Sequence, residues 1–381
     1  MSPVHQRDMP PRTTVATVLT EVAHGAAARA ALADLAPYVE GRSSAFSTGA
    51  GWLAAAARHL PGEPVTIVLR EPGSPGSTAS PGRVVALAPL VVRRRTGVLR
   101  VEVLGGELND YAELFHDDPE AADLLAGAIV AWLRGQRRWS LRLSQLAPED
   151  PVLAGLLARL PGAAVVPGPP MPRIEGAGTD YRLTRHRRRK INTDLNRLAA
   201  DGHHAERLVV DDPEALERWL PRLVEVRRGR DHGSGRRSHL DDDGTRAFHE
   251  EVVRDAMARG RAVVDLLVVG DEVLGFTTTL RDGPVSRLFD GRVAQDWMRY
   301  RGGIVCEMAA VQRAIDDPEV VTFDWLRGRT DAKFGNAEIH RAELRASSHA
   351  WIDRLDDARA RARARVKELL PAGLVHRIVE R

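Results

Sequence analysis

The chain has 381 residues, 43% of them hydrophobic and 28% charged, with a formal net charge of +3. This composition allows a sizeable core and two ordinary domains, and so small a net charge does not by itself indicate nucleic-acid binding. With one cysteine, Cys306, an internal disulfide framework is excluded and a reducing compartment is favoured. Residues 1–14 lack an apolar signal core and no run of about 18 apolar residues occurs, so we expect a cytoplasmic protein without a transmembrane helix. The arginine-rich, lysine-poor composition is typical of a GC-rich bacterial genome.

The first part of the chain reads as an extension followed by a mixed α/β domain. We predict that residues 1–43 are partly disordered and then helical, and that residues 44–173 form the first domain. Asp118-Pro119-Glu120 is a helix start, with an N-cap, a proline at the first helical position and an acid in the first turn. In chain order the predicted elements are a helix over 46–59, strands over 64–70, 83–92 and 98–103, a helix over 118–134 and a strand over 139–146.

The second part repeats that plan after a break at Pro167-Gly168-Pro169-Pro170, within a predicted linker over 161–173. We predict a second domain over 174–350 and a basic C-terminal helical segment over 351–381. Its elements are helices over 185–198, 212–230 and 243–259, strands over 262–269, 273–280 and 285–289, a helix over 304–315 and a strand over 320–326. Both parts therefore run hairpin, strand, loop, helix, strand. This order predicts two α/β (α+β) domains, each with a mixed, largely antiparallel sheet flanked by helices.

The chain resembles the GNAT superfamily of acetyltransferases. The resemblance covers about residues 44–345 and is carried by the repeated order and by short motifs in a fixed sequence. It is similar in particular to the double-GNAT, cellulose-biosynthesis-associated (CelD/BcsL-type) branch, and beyond it to the Fem-type aminoacyltransferases. The motifs are Phe46…Trp52, Ala88-Pro89-Leu90, Asp110-Tyr111, Arg187-Arg188-Arg189-Lys190, Arg246-Ala247-Phe248-His249, Gly302-Gly303 and the stretch from Phe323 to Phe334.

The resemblance implies an N-acyltransferase that moves an acyl group, most simply acetyl, from acyl-CoA to the amine of a small or sugar-like acceptor. A helix N-terminus preceded by glycines offers free N–H groups and positive dipole to a pyrophosphate. The residues placed there are Arg299, Arg301, Gly302, Gly303 and Ile304. This loop departs from the usual Arg/Gln-x-x-Gly-x-Gly/Ala spacing, and the alternative is a simple helix cap with exposed arginines. The first domain has no such loop and is expected to be a degenerate copy that shapes the acceptor pocket.

Four residues are the predicted catalytic set. Asp290 ends a strand and could accept the amine proton, or it could simply form an Asp-Gly turn. Asp324 lies inside a strand and is either buried with a partner or faces the cleft. Arg327 and Lys333 could hold a donor phosphate or polarise the acyl carbonyl. Lys333 is one of three lysines in an arginine-rich chain, which suggests a role for a compact ammonium group, and the equal alternative is a chance surface lysine in a loop.

The acceptor side is assigned to Asp110 and Tyr111, and Phe334 is a further substrate-binding candidate. Cys306 lies in an apolar helix and is predicted to be core. His232, His239 and His249 lie near Asp241-Asp242-Asp243, but their spacing fits no standard zinc pattern, so we expect no metal and interpret the aspartates as a helix start.

Two other functions stay open. The run of cations over 182–197 could hold the phosphates of a nucleotide-bearing or tRNA partner, as a Fem-type, aminoacyl-tRNA-dependent transferase would need, or it could be a solvated helix face. A catalytically inactive GNAT scaffold is the third interpretation. No membrane partner is expected, and the sequence does not indicate the oligomeric state.

Overall fold

The computed structural model describes residues 18–72, 82–179, 181–328 and 335–369. Two β-sheets, sheet A and sheet B, form its framework, and helices pack against both. Sheet A has the strand order β1-β2-β3-β4-β6-β15-β7, with β5 paired to β3. Its strands are β1 (Leu19–His24), β2 (Glu63–Arg70), β3 (Val84–Arg95), β4 (Val98–Val103), β5 (Phe115–His116), β6 (Trp139–Leu146), β7 (Ala164–Pro167) and β15 (Ala342–Ser347).

Sheet B has the order β14-β8-β13-β12-β11-β10-β9. All of its neighbouring strands are antiparallel except β12 and β13, which are parallel. Its strands are β8 (Met171–Glu175), β9 (Ala205–Val210), β10 (Ala262–Val269), β11 (Glu272–Asp282), β12 (Val285–Val293), β13 (Thr322–Asp324) and β14 (Ala337–Ile339).

Ten α-helices flank the sheets in the described part of the chain. Aspartates begin three of them as predicted: Asp118, Asp212 and Asp242 each accept a hydrogen bond from a backbone N–H of the first turn, at 2.8 to 2.9 Å. The helices are α1 (Gly25–Asp34), α2 (Ala36–Glu40), α3 (Ala50–His59), α4 (Pro119–Arg134), α5 (Pro151–Arg159), α6 (Arg185–Ala200), α7 (Pro213–Gly233), α8 (Asp243–Ala258), α9 (Gly302–Asp316) and α10 (Ala350–Leu369).

The repeated plan predicted from the sequence is present in both sheets. In sheet A the hairpin β2–β3 is followed by β4, helix α4 and β6, and β4 pairs with β6 in parallel. In sheet B the hairpin β10–β11 is followed by β12, helix α9 and β13, and β12 pairs with β13 in parallel. Each sheet is thus mixed but largely antiparallel, which confirms the predicted fold class.

The boundary between the halves differs from the one expected at residue 173. Strand β15, expected in the second domain, lies in sheet A between β6 and β7, and β8 begins at Met171 but belongs to sheet B. The segment 161–173 is therefore not a plain linker, because it supplies β7 and the start of β8. Residues 18–43, the described part of the expected N-terminal extension, contribute to sheet A, because β1 pairs with β2 along its whole length.

Aromatic packing joins the two halves. Trp52 of α3 contacts Phe248 of α8 edge-on, with ring centroids 4.7 Å apart, and Phe46 contacts Phe289 of β12 in the same way at 5.4 Å. Trp52 and Phe248 belong to one buried apolar cluster that draws residues from both sheets, and Phe46 and Phe289 pack against it. Among the described residues, no helix has the length and apolar character needed to cross a bilayer.

Candidate functional site

A cavity of about 790 Å³ lies between the two halves. Residues 288–293 of β12, the start of α9 and the segment after β13 form one part of its wall. Helices α7 and α8 supply Arg227 and His249, and the first half supplies Trp52 and Asp110. Six of the residues predicted for the site lie on this wall: Asp110, Asp290, Arg301, Gly303, Ile304 and Arg327.

The cavity occupies the place where two parallel strands separate. The pairing of β12 with β13 covers only Val285 to Arg287, opposite Thr322 to Asp324. Beyond that point β12 continues along β11 to Val293. The segment that follows β13 turns away at Leu326, whose φ is +56°. Residues 288–293 therefore lack β13 as a neighbour, and their edge faces the cavity.

The start of α9 is pressed against the sheet by three glycines. A Cβ on Gly275 of β11 would overlap the backbone nitrogen of Gly303, and one on Gly303 would lie 3.0 Å from the carbonyl oxygen of Arg292. A Cβ on Gly302 would lie 3.0 Å from the carbonyl oxygen of Leu274. Glycine is thus required for this approach, which brings the positive end of the helix dipole to the cavity wall. Gly302 itself packs on the sheet and is not part of the wall.

The two arginines that precede α9, Arg299 and Arg301, have different acidic partners. Arg301 adopts a left-handed conformation with φ of +52°, lines the cavity and donates from Nε to Oδ1 of Asp194 at 3.0 Å. Arg299 instead donates to Oδ2 of Asp201 at 2.8 Å and covers the ring of Tyr300. Its guanidinium lies outside the cavity wall, so its position does not support the predicted donor-binding role.

Asp110 and Arg327 meet across the two halves. Nε of Arg327 donates to Oδ1 of Asp110 at 2.9 Å, and its Nη2 donates to the carbonyl oxygen of Glu107 at 2.7 Å. Burial raises the pKa of Asp110, and the Arg327 guanidinium opposes that rise only in part. This wall therefore carries a carboxylate that burial makes more basic than an ordinary aspartate.

The structure places Tyr111 and Asp324, predicted to bind acceptor and to act in catalysis, in a buried network away from the cavity wall. The Tyr111 hydroxyl donates to Oδ2 of Asp324, which is 1% exposed and also accepts from Nη1 of Arg287 at 2.9 Å. Asp324 further accepts from the backbone N–H of Leu326 at 2.7 Å. Burial raises the pKa of Tyr111, and the charge of Asp324 adds to that rise. Neither side chain is on the cavity wall, so this network joins the halves behind it.

Asp290 lies on the wall beside basic side chains that the sequence did not place there. Its Oδ2 accepts from Nη1 of Arg227 at 2.8 Å and lies 3.3 Å from Nε2 of His249, while its Oδ1 accepts from the N–H of Gly291 at 2.8 Å. Burial alone raises its pKa, but Arg227, His249 and Arg292 outweigh burial and hold the pKa of Asp290 well below the ordinary value. A carboxylate held ionised in this way is a weak base, so the proton-accepting role predicted for Asp290 is not supported.

The remaining candidate residues either have structural roles or lie outside the residues that the structure describes. Asp241 pairs with His232 at 2.8 Å, and Asp242 caps α8, so the aspartate run is a helix start as predicted. Across the described ranges, no three His, Cys, Asp or Glu side chains converge as a metal site would require. Burial raises the pKa of the Cys306 thiol, which is a core residue. Lys333 and Phe334 lie outside the described residues, and their roles stay predictions.

Two repeated units, each with a hairpin, a third strand, a helix and a strand parallel to the third, form a tandem GNAT-like fold. Residues 185–334 match the sequence model of the acetyltransferase (GNAT) domain family. The matched region begins at α6 and includes β12, α9 and β13, so it contains most of the residues that line the cavity.

Solved structures of similar fold span most of the chain. The crystal structure of FemX aligns with a TM-score of 0.53 at 10% identity, covering 82% of this chain and 95% of that one. The C-terminal domain of a protein described as a lysylphosphatidylglycerol synthetase from Agrobacterium fabrum aligns with a TM-score of 0.49 at 12% identity, covering 83% and 92%. A tandem GNAT protein of the clavulanic acid biosynthesis pathway aligns with a TM-score of 0.43 at 14% identity, covering 86% and 99%. No curated protein matches the sequence.

Proposed function

We propose that the chain is an N-acyltransferase that moves an acyl group, acetyl in the simplest case, from acyl-CoA to the amine of a small acceptor. The observation that carries this proposal is the shared cavity. Its wall holds the start of α9 and the free edge of β12 on one side, and groups from the first half on another. Two substrates can therefore meet there, and the reaction needs no nucleophile on the protein.

The donor is assigned to the side of α9. Arg301, the N-cap of α9, makes no side-chain cap. The N–H of Ile304 donates to the carbonyl oxygen of Arg301 at 2.9 Å, so the dipole of α9 is the feature that favours a pyrophosphate at Gly303 and Ile304. The thioester would then extend along the edge of residues 288–293. Lys333 lies outside the described residues, and we propose from the sequence alone that it adds a compact positive charge to the donor site.

The acceptor is assigned to the side of Asp110 and Arg327. A carboxylate whose pKa is raised by burial can hold an ammonium group, and the adjoining guanidinium can orient a polar acceptor. The first half contributes Glu107, Leu108 and Asp110 to the cavity wall near Arg327, which supports an acceptor pocket shaped in part by that half. The particular GNAT branch, the acyl chain and the acceptor itself stay predictions.

One observation favours aminoacyl-tRNA as an alternative donor. Two hydrogen bonds connect the basic helix α6 to residues 299–301, which precede α9. Asp194 accepts from Arg301, and Nη1 of Arg197 donates to the carbonyl oxygen of Arg299 at 3.2 Å. A polyanion bound along α6 would thus arrive at the start of α9. Loss of activity after ribonuclease treatment would identify this donor.

Thermal melting of the purified protein with acetyl-CoA, longer acyl-CoAs and free CoA is the first test, because a ligand that prefers the native state raises the melting temperature. We expect an upward shift with at least one CoA species, followed by amine-dependent release of free thiol. If no CoA species shifts the melting temperature and charged tRNA supports transfer, the donor assignment is wrong. If neither donor binds, the chain is an inactive scaffold.

A further inference from the structure

Unpaired polar atoms gather on one part of the cavity wall. Among the described residues, Nε of Arg227, both ring nitrogens of His249 and Oγ1 of Thr277 are buried without a hydrogen-bond partner. All three side chains line the cavity. Because buried polar groups in folded proteins are nearly always paired, such a concentration indicates the place of a polar ligand group.

His249 is held firmly in this region. It is 8% exposed, and its ring is stacked on Phe289 with centroids 5.3 Å apart and an interplanar angle of 22°. Its Nε2 lies 3.3 Å from Oδ2 of Asp290, which is ion-pair distance, although the angle does not make a hydrogen bond. Phe248, the preceding residue of α8, packs against Trp52, so the first half also fixes this turn of helix.

Asp290 has the properties of a group that orients a base. Arg227 and the N–H of Gly291 fix its two oxygens, and Arg292 lies 3.5 Å from Oδ1. The carboxylate stays ionised, as its lowered pKa shows. An ionised carboxylate beside an imidazole sets the ring orientation and stabilises the imidazolium that forms when the ring takes a proton.

We propose that His249 is the catalytic base that removes the proton from the acceptor amine, and that Asp290 is its positioning residue. This inference rests on the proposed function. The ring accepts one proton from the amine, the amine nitrogen bonds to the acyl carbon, and the carbon–sulfur bond breaks. The CoA thiolate leaves with the electron pair, and the proton returns to it directly or through water, so that the products are the amide and free CoA.

The test compares His249→Ala and His249→Gln with His204→Ala, which removes an exposed histidine that is not on the cavity wall. Initial rates of thiol release are measured from pH 5.5 to 9 with saturating acetyl-CoA and an accepted amine. We expect kcat to fall about 100-fold or more in both His249 variants, the usual contribution of a positioned base. His204→Ala should keep the wild-type rate. Wild-type kcat should decline at acidic pH, where an imidazole is protonated, and His249→Ala should lose that decline.

Two further readouts separate chemistry from folding. Free imidazole should restore part of the activity of His249→Ala and leave His249→Gln unchanged, because only alanine vacates the space. The melting-temperature shift with acetyl-CoA should persist in both variants. Asp290→Asn should lower kcat less than His249→Ala and should not respond to imidazole.

The outcomes separate the two claims. If the wild-type protein transfers no acyl group from acetyl-CoA to any amine, the proposed function fails. If the wild-type protein is active, and His249→Ala matches its kcat and pH profile without imidazole, His249 is not the base. If His249→Ala does not fold, a wild-type pH profile in His249→Gln overturns the inference in the same way.

Discussion

Nε of Arg327, which follows sheet B's strand β13, donates a 2.9 Å hydrogen bond to Oδ1 of Asp110, which belongs to the first half of the chain. The pair closes the cavity across the junction of the halves. The positions are 217 residues apart in the sequence. The wall that we propose for the acceptor therefore exists only when both halves are in place.

Removing this arginine should affect both stability and turnover. Arg327→Ala leaves Asp110 buried without its cation, so we expect a loss of about 1–3 kcal/mol in the free energy of unfolding and a strong fall in kcat/KM for the amine. Asp110→Ala combined with Arg327→Ala should recover part of the stability but not the turnover. Denaturant melts and steady-state kinetics of the single and double variants measure both effects. Additive stability losses would show that the pair is not coupled.

The tyrosine behind the wall should matter for stability alone. Tyr111→Phe removes the hydroxyl that donates to Asp324 but keeps the ring under the guanidinium of Arg287. We expect a loss of about 1–2 kcal/mol, seen in urea unfolding, and a kcat within twofold of wild type. A large fall in kcat in a stable Tyr111→Phe protein would return Tyr111 to the active site.

The two loop arginines should behave differently. Arg301→Ala removes the partner of the buried Asp194 and alters the start of α9, so we expect the KM for acyl-CoA to rise at least tenfold with a smaller effect on kcat. Arg299→Ala should leave both constants near wild type, because its guanidinium lies outside the wall. A calorimetric titration with CoA checks the binding effect. Equal losses in the two variants would contradict the distinction.

Gly275, which contacts the start of α9, should not tolerate an added methyl group. Gly275→Ala forces the start of α9 away from β11, so we expect a loss of donor binding together with a loss of about 1–3 kcal/mol. The matched control is Gly229→Ala in α7, where a Cβ meets nothing within 4 Å and helix propensity should add up to about 1 kcal/mol. Melting temperatures with and without acetyl-CoA report both quantities. Normal donor binding by Gly275→Ala would remove α9 from the donor site.

The ionised state of Asp290 predicts a definite pH dependence. Its folded pKa lies well below the ordinary value of about 3.9, so the stability it contributes is complete above about pH 4 and is lost as the pH falls toward the folded pKa. The difference in free energy of unfolding between wild type and Asp290→Asn should therefore be largest near neutrality and shrink below about pH 4. Urea melts from pH 7 to pH 3 measure it. A constant difference would mean that Asp290 is not held ionised by the fold.

Local patterns predicted most of the regular elements but not the pairing of the distant ones. The strands at 98–103, 139–146 and 262–269 have the predicted bounds, because compact apolar runs identify them. Strands β1, β7, β8 and β15 were not predicted, because each is stabilised by partners far along the chain. No local signal indicates that residues 342–347 would lie beside β6.

The site was predicted in the same uneven way. Sequence patterns locate the ends of helices and strands. Gly303 and Ile304 lie on the wall at the start of α9, and Arg327 lies on it shortly after the end of β13. Asp324 was indistinguishable from a cleft residue in the sequence, since its partners Tyr111 and Arg287 are distant. Arg227 and His249 meet Asp290 from two helices, 63 and 41 positions earlier in the chain. Nothing in their spacing predicts that meeting.

Strand β15 fills the gap between β6 and β7, and this fixes the order in which the molecule can be made. A ribosome that has released residues 1–173 has supplied both neighbours of that gap but not the strand that joins them. Strands β1 to β4 and β6 can pair without it, but β7 can join the sheet only after residue 347 has been made. A protein that ends at residue 173 would therefore expose an unpaired edge of β6, and such an edge can pair with other chains and cause aggregation.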